Sequence, residues 1–159
     1  MPDLTLAASA VRPHPRWGRS ALALLAGFVV VVILSVGTDG LLHAIGPFPA
    51  LGQPMSDALF VLASAYRIVY AILGSYITAR LAPNRPLQHA LAGGVVGLVL
   101  STVGAVATWN RVPSLGPHWY PLSLVVTALP CAWLGGRIWV RQLQTRLATG
   151  ETLTSSEAA

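Results

Sequence analysis

Residues 57–80 read DALFVLASAYRIVYAILGSYITAR, and the rest of the chain follows from how this run is housed. As a helix rising about 1.5 Å per residue it is long enough to cross a hydrocarbon core of roughly 30 Å. It carries Arg67 near its middle. A charge at that depth costs roughly 2.5 to 3.5 kcal/mol on insertion scales, so it normally faces a protein interior and has partners. The flanking sequence is therefore read as the packing that keeps Arg67 in place.

On either side the chain repeats the same kind of segment. Hydrophobic residues make up 54% of it and charged residues 9%, far from the roughly 25% charge of a soluble domain. Four membrane spans are predicted, at about 20–38, 57–80, 87–109 and 119–139, with Pro130 kinking the fourth. They form an all-α, integral membrane four-helix bundle over 20–141. A basic arm, 1–19, precedes it, and a disordered polar tail, 142–159, follows. The basic-then-apolar start also has the form of a signal peptide, but the run is too long for a typical apolar region and no convincing cleavage site follows it.

The positive charge is all arginine and orients the bundle. Arg12, Arg16, Arg19, Arg80, Arg85, Arg137, Arg141 and Arg146 fall on one side, and Arg111 alone falls in a connection on the other. This asymmetry places both termini in the cytoplasm. It also explains the basic balance without nucleic acid, which is not expected as a partner. The connections 39–56 and 110–118 then lie outside, with Trp109, Trp119 and Tyr120 in an outer aromatic belt.

Spans one and three echo each other. Leu25–Gly37 reads LAGFVVVVILSVG and Leu91–Gly104 reads LAGGVVGLVLSTVG; PALG at 49–52 and PSLG at 113–116 precede spans two and four; LGSYITAR and LGGRIWVR close them. Four echoes in the same order imply two tandem helical hairpins in parallel orientation, an internal repeat. Aligned from PALG and PSLG, Arg67 matches Cys131, so the charge occurs once. Span three also sets Ala90, Gly94, Gly97, Ser101, Gly104 and Thr108 at alternating spacings of four and three, one face suited to close helix packing. It is expected to be the central helix, with Gly94, Gly97, Ser101 and Gly104 as its contact surface.

Counted from the cytoplasmic ends, Ser35, Arg67, Ser101 and Thr127 all lie at roughly 20 to 22 Å of helix rise. This predicts one polar layer drawn from every span. Asp39, a turn beyond Ser35, is the expected partner of Arg67, with hydroxyls from Ser35, Ser101, Thr127, Tyr66 or Tyr70 assisting. Asp57 is too far along its own helix. Such a layer either fixes helix register or binds an anion or lipid head group. His43 and His118 are the weak metal candidates, to be joined by Asp39 or Asp57, but their spacing matches no motif; no metal and no cofactor is expected. Phosphate loops, nucleophile elbows and paired catalytic carboxylates are missing from the sequence, and five acidic residues give little material for acid–base catalysis.

The segments TDGLLH (38–43), GQPMSDALF (52–60), AYR (65–67) and GPHWYP (116–121) carry a resemblance. Over 20–141 the plan is similar to that of small four-span bacterial inner-membrane proteins that remain uncharacterised. The resemblance implies topology and an inner-membrane location and brings no catalytic residue with it. Two functions are therefore weighed: a non-enzymatic accessory or structural component that packs with itself, lipid or a partner protein, and a small transporter or channel component that binds an anion or polar solute at Arg67.

Overall fold

The computed structural model describes residues 17–50, 53–110 and 116–157. They form four helices: α1 (Trp17–Ala44), α2 (Asp57–Leu81), α3 (Pro86–Thr108) and α4 (Trp119–Glu157). All four are long and apolar enough to cross a membrane, and no strand occurs among the described residues. The chain is thus an all-α bundle of the multi-pass membrane type. Arg12, Arg16 and Arg111 lie outside the described residues, as do parts of the PALG and PSLG echoes.

Two helices exceed their sequence-predicted lengths. α1 does not stop near Thr38 but continues through Asp39 and Gly40 to Ala44. Gly46, at φ 93°, then turns the chain, and the Phe48 N–H donates to the Leu42 carbonyl at 3.1 Å. α4 runs on as one helix through Pro130 to Glu157, so the tail expected to be disordered from residue 142 is helical to that point. Between α2 and α3 the turn closes on Arg85, which takes a left-handed conformation (φ 43°, ψ 57°) directly before Pro86 opens α3.

The core is built from small side chains. Ala23, Ala63, Ala79, Ala90, Ala105, Cys131 and Ala132 are buried with Ser64 and Thr78, and among the larger hydrophobic side chains described only Phe48 and Phe60 join them. Leu25, Ile33, Val36, Val69, Val99 and Val126 are exposed, which suits helices whose outer surface meets acyl chains and whose inner surface lets backbones approach.

α2, not α3, is the central helix: both meet all three of the others, but α2 packs extensively on both α1 and α4, whereas α3 packs extensively only on α4. α4 packs on α2 and α3, α1 and α3 meet only sparsely, and α1 does not touch α4. Close approach follows the same pattern. A Cβ on Gly27 would strike the Thr78 side chain and the Gly74 carbonyl, and one on Gly74 would strike Val31. Gly135 admits α2 at Ile72 and Ser75, and Gly136 admits α3 at Ala90 and Leu87. The glycine face predicted on α3 is used only in part. Gly94 is buried against Ala132, whereas Gly97 and Gly104 have nothing within 4 Å of an added Cβ. The echoed glycines also make unlike contacts: Gly74 faces α1 and its counterpart Gly135 faces α2.

Candidate functional site

The α1–α2 crossing sets the register of the site. Gly27 and Gly74 approach so closely that Asp39, further along α1, lies about one turn beyond Arg67 toward the α1–α2 connection. Side chains lean toward the N-terminus of their own helix. In an antiparallel pair this tilts Asp39 inward and Arg67 outward, and the two meet.

Arg67 Nη2 donates to Asp39 Oδ2 at 2.5 Å. The Tyr66 hydroxyl donates to the other carboxylate oxygen, Oδ1. Arg67 Nη1 also donates to the Tyr66 hydroxyl at 3.3 Å. The guanidinium carbon lies 5.4 Å from the Tyr66 ring centre and 5.7 Å from that of Tyr120, within the range of cation–π attraction. Side-chain exposures of 23% for Arg67 and 29% for Asp39 place the pair half inside the bundle. A second link joins the same helices close by, between Thr38 Oγ1 and the Tyr70 hydroxyl at 2.9 Å.

The structure divides the predicted polar layer. Asp39, Tyr66 and Arg67 form one bonded cluster, and Tyr70 stands beside it with Thr38. Ser101 gives its hydroxyl hydrogen to its own helix at Gly97 or Leu98, and Thr127 does the same at Ser123 or Leu124. Ser35 makes no hydrogen bond with the described residues. These three hydroxyls therefore do not hold Arg67; they line, with it, one end of a cavity of about 380 Å³. Its walls are otherwise mainly apolar, including Phe28, Val32, Ile68, Val96 and Leu100. The lining residues on α1 and α3 are exposed at Phe28, Val32, Val96 and Leu100, so the mouth opens sideways between those two sparsely packed helices. At the other end, His89 Nε2 and Ser20 Oγ, 2.9 Å apart, tie α3 to α1.

The weak metal candidates stay apart. His43 Nδ1 is 2.8 Å from the Pro49 carbonyl. His118 stacks on Trp109 and lies 3.1 Å from its carbonyl. Asp57 borders a separate cleft with His118, Gln53 and Phe60, while Asp39 is held by Arg67. Among the described residues no three His, Cys, Asp or Glu side chains come together.

Sequence reasoning missed Tyr120 as part of the site, placing it only in the aromatic belt. Its ring is positioned by Phe60, 5.1 Å away between centroids, which is itself pressed against Gly116 at φ 150°. No periodicity on one helix could have paired residues from α2 and α4. Compared with protein-family models, curated proteins and solved structures, the chain has no match.

Proposed function

We propose that this chain is a non-enzymatic accessory or structural component of a bacterial inner membrane, with both termini cytoplasmic, that works by packing with lipid, with a second copy of itself or with a partner membrane protein. One observation carries the reading: the intramembrane arginine is already neutralised, its charge met by Asp39 and its faces by the Tyr66 and Tyr120 rings. A cation so engaged supports helix registration more than capture of a free anion. The arginine distribution supports the orientation, and the largely lipid-facing α1, in which Ala23 and Gly27 are the buried positions, supports lipid as one packing surface.

The second reading, a transporter or channel component with an anion or polar solute at Arg67, draws on the cavity that reaches this residue. Its apolar walls and sideways mouth give a hydrated solute no polar path through the bundle. The test is anion flux into proteoliposomes of the full chain, with Arg67→Gln beside the wild type. No flux above empty liposomes is the expected result; flux that disappears in Arg67→Gln would move the function to transport.

A further inference from the structure

We propose that the cavity between α1 and α3 is a binding site for one acyl chain of a glycerolipid, with the lipid's ester carbonyl received by Arg67. The length fits first. Lining residues run along α1 from Leu24 to Val36, about 18 Å of helix rise, slightly more than half of a hydrocarbon core of roughly 30 Å. Its volume of about 380 Å³ lies within the range of roughly 300 to 1,000 Å³ usual for ligand sites. The mouth faces the bilayer, so a lipid enters from the side without leaving its leaflet.

The chemistry along the cavity is graded in the same sense. Phe28, Val32, Ile68 and Val96 offer nothing but apolar contact, the wall an alkyl chain requires. One end holds Arg67, Ser35, Ser101 and Thr127, whereas the other has the Ser75 and Thr78 hydroxyls but no charged group. A guanidinium has five N–H donors, and Asp39 and Tyr66 take only two from Arg67. The carboxylate removes the net charge, which favours an uncharged acceptor such as an ester carbonyl over a free anion. Ser35 contributes a hydroxyl with no bond to the described residues. Ser101 and Thr127 have given their hydrogens to backbone carbonyls and present lone pairs.

Depth selects the leaflet. Counted from Ser20, Ser35 and Val36 at the polar end of the lining lie about 22 to 24 Å up α1, in the half of the hydrocarbon layer on the side of the α1–α2 connection, and Arg67 reaches from there toward Asp39, the side on which ester groups of that leaflet are found. The chain then descends the groove toward Leu24 and Thr78. This deepens the reading of lipid as a packing partner, and the two are tested separately: absence of lipid without anion flux sinks only the site.

Gly97 and Gly104 make the test direct, because both lie on α3 and an added Cβ meets nothing at either. Only Gly97 lines the cavity. The full chain is assembled in nanodiscs of a defined phosphatidylethanolamine and phosphatidylglycerol mixture, supplemented with a prenylquinone, and released for native mass spectrometry. Wild type and Gly104→Leu should each retain a glycerolipid, and Gly97→Leu should lose it. Ser35→Leu, which fills the groove from α1, should lose it as well and serves if Gly97→Leu does not fold. Equal retention in all variants, no retained lipid in the wild type, a retained prenylquinone in its place, or a dimer that excludes lipid would each overturn the site.

Discussion

Arg67 leaves its backbone deep in the bilayer yet delivers its guanidinium toward the α1–α2 connection, because its side chain leans to the N-terminus of α2 and Asp39 leans to that of α1. The cost of the charge is met by a carboxylate, a phenol and two aromatic faces. Arg67→Ala strands Asp39 and should lower stability in detergent by about 3 kcal/mol. In an Asp39→Asn background the same change should cost far less; additive losses in a thermal double-mutant cycle would show that the two residues do not act as a pair. Arg85 makes an opposite case. It holds a left-handed conformation before Pro86, so Arg85→Gly relieves backbone strain and should raise stability by up to about 1 kcal/mol, read from the same melting curves.

At the scale of helices, contact depends on what lies opposite, and this is where the sequence was least informative. The run 57–80 gave α2 to within a residue, because hydropathy and length act within one segment. Arg67 and Asp39 could be matched by counting rise from the ends of two consecutive helices. The face of α3 could not be resolved that way: Gly97 and Gly104 have the spacing of a packing surface, but the helix that would cover them packs elsewhere. Gly27, Gly74 and Gly135, with no long periodic run to mark them, make the close crossings instead. Gly135→Ala should therefore destabilise the bundle by about 1 to 3 kcal/mol through overpacking against α2. Gly97→Ala should stay within about 1 kcal/mol of wild type. Equal effects at both positions, measured by thermal unfolding, would return α3 to the role its pattern suggests.

For the molecule as a whole, α2 and α4 form the spine, α1 and α3 flank it, and the groove is the gap left where the flanking helices fail to close. The single cysteine reports on that arrangement. Cys131 is 5% exposed, next to Ala132 in the core of α4, so a maleimide should label the folded protein negligibly and the denatured protein completely. Rapid labelling of folded chain, followed by mass spectrometry, would contradict the packing of α4 on its neighbours. The Arg67–Asp39 bond has a further consequence for biosynthesis. Its partners are 28 residues apart, and a chain made from its N-terminus exposes the carboxylate first. When the second helix leaves the ribosome, its arginine meets a counter-charge already waiting in the first. Insertion of α2 should therefore be favoured by α1: Asp39→Asn should lower the fraction of α2 that enters the membrane in a glycosylation-mapping assay, and an unchanged fraction would show that α2 inserts on its own hydropathy.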